Sequence, residues 1–411
     1  MSRLVFLFIL WILPFPMFSQ SLEITVDEIT AHLAELDQQR ADLLARMETV
    51  KLQMVRRDLE LVGLPSSDYI LHQAMALSYS EKHEQAAWVA HIIRPEIIDG
   101  TVFRSNDFRP DSLVKTGTAV EQDYFLKTLQ ADSTYVYDGF GYDRGHLAPS
   151  ADFRWSATAL SESYFYSNMS PQRPAFNRES WAALEGLLRG YIYRHPDTQL
   201  YVVTGPVLHD ALPVIERSIN KVAIPEQYFK VVLDQKAQQA IAFLMPNTKT
   251  ANPLSFYAMS VDEVEALTGF DFFHHLDNED TIEASLDKEH WIPEIAAGDV
   301  EPLYPPSLPR GHFNTIQAKR YMGKRKTISV CGTIVSSRYS RSGNLWFNLD
   351  QRFPNQIFSV FIKKEDLINF STDVQKAYEG KTIVVRGEVR DFNGVPTINL
   401  KREERIQEFV Q

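Results

Sequence analysis

A chain of 411 residues with 44% hydrophobic and 23% charged content has length for two or three domains, and it excludes wholesale disorder, a collagen-like repeat and a polytopic membrane protein. One cysteine, Cys331, excludes an intramolecular disulfide framework and a cysteine-based zinc site. The net charge of -11, taken whole, argues against a nucleic-acid partner, but residues 306–411 carry 18 Lys+Arg against 10 Asp+Glu, a net of +8, which leaves -19 on the remainder. A basic tail on an acidic body is the electrostatic footprint expected for a polyanion partner.

Residues 1–20 read as a signal peptide. Arg3 gives the positive start, residues 4–18 form an uncharged apolar run broken by Pro14 and Pro16, and Ser19, Gln20 and Ser21 offer a cleavage point. A membrane span takes about 20 apolar residues, more than this run holds. The expectation is a secreted or periplasmic protein with no stable membrane insertion after cleavage. Residues 24–62 then read as a coiled-coil-like helix: Ile29, Leu33, Leu36, Arg40, Leu43, Met47, Val50 and Met54 are spaced alternately four and three apart. Gly63, Leu64 and Pro65 stop it. Such a stripe serves either a homodimer through residues 29–54 or packing of the helix on its own domain.

The next 230 or so residues, 66–295, hold the densest reactive chemistry: Gly141-Tyr-Asp-Arg-Gly-His146, then Ser167-Asn-Met-Ser-Pro-Gln172, then Phe176-Asn-Arg-Glu-Ser-Trp-Ala-Ala-Leu-Glu185. Hydrolysing a phosphodiester requires a base for water, which a neutral imidazole supplies near neutral pH. It also requires stabilisation of charge on the phosphoryl and leaving oxygens, which a hard cation and an arginine supply. Magnesium keeps several waters and needs only one or two protein oxygens, so an Asn carbonyl is an adequate ligand. On an α-helix Asn177 and Glu185 stand roughly 12 Å apart along the axis and about 80° apart around it, which lets Glu185 reach waters on an ion held by Asn177. Trp181 serves to anchor that helix by packing. Read singly, each piece is weak. An Asp-Arg-Gly-His run can be a turn with a satisfied histidine, and an Asn before a helical pattern can be its N-cap.

Together, in this order, the three motifs resemble the DNA/RNA non-specific endonucleases, a family of ββα-metal (His-Me finger) nucleases. Supporting segments include Trp88-Val-Ala, Arg104, Phe108 and Asp111, Thr204-Gly-Pro, and the run from Ser260 to Phe273. The resemblance implies His146 as general base and Asn177 as direct metal ligand. Glu185 would hold metal-bound waters, and Asn168 would organise the site near the leaving group. Arg144 and Arg104 would contact phosphate, and Asp143 would position the loop. It also implies Mg2+, with Mn2+ as a substitute, DNA and RNA as substrates, and products with 5′-phosphates. The chain departs from the family pattern at Glu179, where many relatives carry Gly. Two residues along a helix turn about 200°, so Glu179 is expected to face away from Asn177. His274 and His275, with Asp277, Glu279 and Asp280, read as a solvated loop, and His195 as a turn residue.

Pro302, Pro305, Pro306 and Pro309 mark residues 296–310 as a linker. Residues 311–411 then read as strands. Ile328, Val330 and Ile334 alternate, as do Leu345, Phe347 and Leu349, and further runs cover 357–362, 382–389 and 396–400. A helix-compatible stretch at 364–378 follows the third run. Five strands with a helix after the third resemble an OB-fold nucleic-acid-binding barrel, in which Trp346, Phe358, Phe361 and Phe392 are candidates to stack on bases. The expected fold class is α+β, a ββα-metal core around a central mixed sheet with an OB-fold-like barrel behind it and a helical segment in front. The expected function is a metal-dependent DNA/RNA endonuclease. The rival is a catalytically weak nuclease scaffold that binds nucleic acid through the barrel.

Overall fold

The computed structural model describes residues 17–305, 307–309, 311–370 and 373–409, with side chains from residue 25 onward. Residues 1–16, most of the expected signal peptide, lie outside the described residues. A 46-residue helix, Met17–Val62, opens the described chain. It is divided between two compact units, residues 1–54 and residues 55–411. In the first unit, Ile29, Leu33, Leu36, Leu43, Met47 and Val50 are 47–64% exposed, so the apolar stripe stands in solvent along its length. In the second, the last turns of the helix bury Val55, Leu59 and Val62. Among the described residues no helix is long and apolar enough to cross a membrane.

The nuclease part of the second unit is built on a seven-stranded sheet. Its order is Ile70–Leu71, Met75–Ser80, Gln85–Ile93, Leu200–Pro206, Gln227–Asp234, Gln239–Pro246 and Ala258–Met259. Every neighbouring pair is antiparallel, so the sheet is not the mixed one expected. The three central strands are buried almost throughout, with runs such as Leu200-Tyr-Val-Val203 and Val231-Val-Leu233. Near-continuous β-branched and aromatic runs fit strands covered on both faces. Against this platform sits a smaller ββα unit: strand Asp143–His146 pairs antiparallel with strand Met169–Gln172, and the chain then enters the helical stretch Phe176–Arg194.

The tail closes on itself. Strand Thr327–Tyr339 pairs with Leu345–Leu349, which pairs with Phe358–Ile362; Val395–Asn399 follows in parallel, then Thr382–Phe392, which returns to the first strand. These pairings close five strands into a small barrel. Inward positions, among them Val330, Phe347, Phe358, Val385 and Ile398, are fully buried. Phe358 is therefore core and not a base-stacking candidate, whereas Trp346, Phe361 and Phe392 cluster on the outer face with ring centroids 4.5 and 4.8 Å apart. The helix expected at 364–378 is broken. A 3-10 turn covers Lys364–Asn369, and a new short helix, Val374–Tyr378, starts at the Asp373 cap.

The proline-spaced stretch does not hang free. Leu303 O accepts from Asn314 Nδ2 at 3.0 Å, Tyr304 packs edge-on to Tyr193 at 5.0 Å, and Arg194 pairs with Glu301 at 3.4 Å. Just beyond it, buried Gln317 donates to Ile98 O at 2.7 Å and to Tyr193 OH at 3.3 Å, and Arg320 pairs with Asp99. The described residues 301–305, with 307–309 after them, thus form a strap held on the nuclease core and leading into the barrel.

Candidate active site

The histidine strand is placed by its partner. His146 lies opposite Met169 and Gly145 opposite Ser170. A methyl group on Gly145 would stand 2.2–2.5 Å from the side chain of fully buried Gln172, so this position accepts only glycine. Asn168 braces the loop that follows. Its Oδ1 accepts from Ala148 N at 2.9 Å, while its Nδ2 donates to Ala148 O at 2.9 Å and Ser163 O at 2.8 Å. With both ends committed to backbone, Asn168 has its amide turned to holding the loop rather than to a leaving group.

The helix begins with a π-turn, Phe176–Trp181, before continuing as α over Ala182–Arg194. Phe176 and Trp181 pack together at 5.1 Å and both lie against Tyr228, which fixes the start of the helix on the sheet. A π-turn takes i→i+5 bonds, so each residue turns through less than the α value. The eight residues from Asn177 to Glu185, 80° past two turns on a pure α-helix, therefore come closer to two full turns. Both side chains line one cleft of about 830 Å³, together with His146, Arg144 and Arg104. Glu179 borders the same cleft, contrary to the expectation that it faces away, and is held by Lys249 at 2.6 Å.

Asp143 ties strand to helix. Its carboxylate accepts from Asn177 Nδ2 at 2.9 Å and takes a bidentate pair from Arg178, with Nε at 2.8 Å and Nη2 at 2.7 Å. Because the Asn177 amide nitrogen is spent on Asp143, its Oδ1 is the atom left for the cleft. No described residue donates to that oxygen. His146 is mostly buried between Phe108 at 5.7 Å and Tyr164 at 5.1 Å, and its Nε2 has no hydrogen-bond partner among the described residues. Burial first, then the charges of Arg104 and Arg144, push its pKa down to about 3. The imidazole is neutral at pH 7. Arg144 is stacked 3.7 Å over Phe108 and 5.0 Å over Phe125, which holds its guanidinium flat and in place.

Behind Glu185 runs a buried ionic chain. Arg189 stands 3.7 Å from Glu185 and donates to Asp152 at 2.9 Å; Asp152 in turn meets His91 Nε2 at 3.0 Å. Fully buried Lys230 donates to Thr204 at 2.5 Å and stands 4.8 Å over the Trp181 ring. Burial raises the Glu185 pKa, and the charges of Arg189 and Lys230 oppose that rise. Burial likewise pulls the Lys230 ammonium down to about 8. A free amide oxygen, a carboxylate held among cations and an unpartnered imidazole nitrogen on one cleft form a donor set that fits a hard divalent cation keeping several waters.

The strap supplies the cleft's other side: Pro302, Leu303, Tyr304, Pro305, Leu308 and Pro309 line it opposite the arginines.

A sequence profile of the DNA/RNA non-specific endonuclease family matches residues 57–279. Bovine (Bos taurus) mitochondrial endonuclease G is 30% identical over 230 residues, 52% of this chain and 72% of the relative. A nuclease of Nostoc sp. is 31% identical over 224 residues, 52% of this chain and 75% of the relative. Nuclease C1 of Cunninghamella echinulata is 29% identical, covering 51% and 84%. In a solved complex of endonuclease G with its inhibitor, one chain aligns at 27% identity with a TM-score of 0.44, covering 53% of this chain and 91% of that one.

The chain belongs to the DNA/RNA non-specific endonuclease family.

Within this endonuclease, the structure gathers His146, Asn177, Glu185, Arg144 and Arg104 on one cleft and leaves Asp143 and Asn168 as positioning groups behind it. Sequence reasoning missed Arg178, Asp152, Arg189, Lys230, His91 and the strap. Only Arg189 carried a local signal, its i,i+4 spacing from Glu185. The depressed His146 pKa has a consequence for stability. The unfolded chain takes up a proton near the ordinary histidine value of about 6.5 and the folded chain does not, so stability falls as pH drops below that value. Between pH 6.5 and 4.5, urea unfolding of the endonuclease should show a loss about 1–2 kcal/mol larger than that of His146→Asn. Equal losses would mean that the imidazole is not shielded.

Proposed function

We propose that this protein hydrolyses phosphodiester bonds of DNA and RNA in a metal-dependent reaction, without strong sequence specificity. The observation that carries the reading is the unpartnered, neutral His146 on the same cleft as an Asn177 whose carbonyl oxygen Asp143 has turned free. Arg144 and Arg104 bind the phosphate. Burial first and then their charges hold His146 neutral in the free protein, and a bound phosphate offsets the charge part, which returns basicity to the imidazole when a proton must be taken. The His146 imidazole accepts that proton from the attacking water. Asn177 Oδ1 and, through water, the Glu185 carboxylate would hold the cation, with Mg2+ the expected ion. When bound, the ion supplies charge stabilisation at the phosphoryl and leaving oxygens. Arg189 and Lys230 oppose the rise that burial imposes on the Glu185 pKa. Removing water from the cleft strengthens each of these interactions.

The test is digestion of closed-circular plasmid and of RNA by the full-length protein. Magnesium-dependent nicking should be abolished by EDTA and fall by about 100-fold or more in His146→Ala. Binding of both polymers without cleavage would support the scaffold reading instead.

The barrel's outer aromatic cluster and the basic tail support a role in strand capture beside the cleft. Trp346 sits cross-strand from Phe361 and from Arg338, so an aromatic platform borders a cation. Trp346→Ala should weaken single-strand binding by about 1–3 kcal/mol in fluorescence anisotropy. Unchanged affinity and salt dependence would remove the barrel from nucleic-acid binding.

The exposed stripe of the first unit supports pairing with a second copy. Light scattering should give a dimer mass for the full chain and a monomer mass once residues 1–54 are deleted; equal states in both would reject the pairing.

A further inference from the structure

Helix Val261–Thr268 packs on strands Gln227–Asp234 and Gln239–Pro246 and the short helix Glu279–Glu283 on Gln239–Pro246, and neither helix lines the cleft. Asp262 and Glu265 are three residues apart and so share a helix face, and the second helix brings Glu283 to them. One carboxylate oxygen from each of the three lies within 4.8 Å of the others. Glu283 is only 4% exposed, and its Oε1 has no hydrogen-bond partner among the described residues. Glu265 Oε1 is occupied by the Phe272 amide at 2.7 Å, which orients that carboxylate. Asp271 and Glu279 add two further negative charges close enough to act on Glu283, and among the described residues no lysine, arginine or histidine pairs with any of the five. Burial, followed by repulsion from Glu265, Glu279, Asp262 and Asp271, pushes Glu283 up to about 8.

An unpaired carboxylate kept in a nearly dry position among four others is costly unless a positive charge meets it. The other buried acidic side chains are hydrogen-bonded: Asp152 to Arg189 and His91, Asp111 to His72 and Ser167, Asp123 to Asn220, Asp234 to Tyr191 and Thr198, and Asp350 to Thr315. Here the donor set is oxygen only. We propose that Asp262, Glu265 and Glu283 bind a second, structural divalent cation of the calcium class. Calcium takes six to eight oxygens at about 2.3–2.6 Å in a flexible geometry, and three carboxylate oxygens within 4.8 Å of one another can share one such ion. Magnesium demands a near-ideal octahedron at about 2.0–2.1 Å, which three carboxylates on two helices meet less readily. Waters complete the shell on the exposed side, at Asp262. The ion fastens the two helices to each other over the edge of the sheet. His274 and His275 take no part: they turn toward the end of the long helix, where His275 Nδ1 meets Glu60 O at 2.8 Å.

The experiment uses the full chain and calcium alone, with Asn177→Ala as background so that the catalytic cleft is taken out of the titration. Isothermal calorimetry should give one calcium site in Asn177→Ala, and millimolar calcium should raise its Tm relative to EDTA. Adding Glu283→Gln should abolish both effects. Adding Asp262→Asn, a change at an exposed position that the fold tolerates, should weaken binding by more than about tenfold. The single variant Glu283→Gln should cleave plasmid in magnesium at the wild-type rate, which separates this site from the catalytic one. The proposal is overturned if Asn177→Ala binds no calcium, in which case Glu283 keeps a proton, or if the Glu283→Gln double variant binds it unchanged.

Discussion

The carboxylate of Asp143 joins the two halves of the active site. It sits on the strand that carries His146, and it receives hydrogen bonds from Asn177 and Arg178 at the start of the helix that carries Glu185. A charged bidentate pair is directional, so the contact sets the distance and the rotation of helix against strand. It also decides which end of the Asn177 amide is free. His146 and the candidate cation ligands are thus positioned by one group that does not itself line the cleft.

A second constraint lies deeper. Glu185 is half-buried, and desolvation disfavours its charged form unless opposite charges stand nearby. Arg189 and Lys230 provide them, and Asp152 and His91 balance Arg189 in turn. This chain of groups crosses from helix to central sheet, which is why the sheet strands carry a lysine and a histidine at positions that would otherwise be apolar. Lys230 is placed over Trp181, the residue that also anchors the π-turn. Electrostatics and packing meet at the same few side chains, so the orientation of the helix and the charge state of Glu185 are not independent.

Most of the site's residues were legible in sequence because three motifs stand in one order, and the ββα unit follows from that order. Their relations were not. Asp143 and Arg178 are 35 residues apart, and nothing local announces their pairing. The π-turn is invisible to a reading that assumes α geometry, and it shifts the relative angle of Asn177 and Glu185. Asn168 was visible as a motif residue, but its use, holding Ala148 and Ser163, appears only when the loop is seen. In the tail, alternation located the strands without saying which face was inside. Register resolves it: Phe358 pairs with Leu349 and points in, while Phe361 pairs with Trp346 and points out. Prolines read as punctuation proved to be a rigid wall, because periodicity says nothing about what a non-repeating segment leans on.

That wall changes what it means for this protein to have two domains. In a chain with a slack connector, the barrel and the nuclease would be separable modules, each free to drift in sequence and position. Here the connector is part of the catalytic cleft, and its shape is held from one side by Tyr193, Arg194 and Ile98 and from the other by the barrel's entry at Asn314 and Gln317. The barrel therefore acts as a mould for the active site as well as a neighbour to it. A change in how the barrel's entry meets the core would bear on the strap and, with it, on one wall of the cleft.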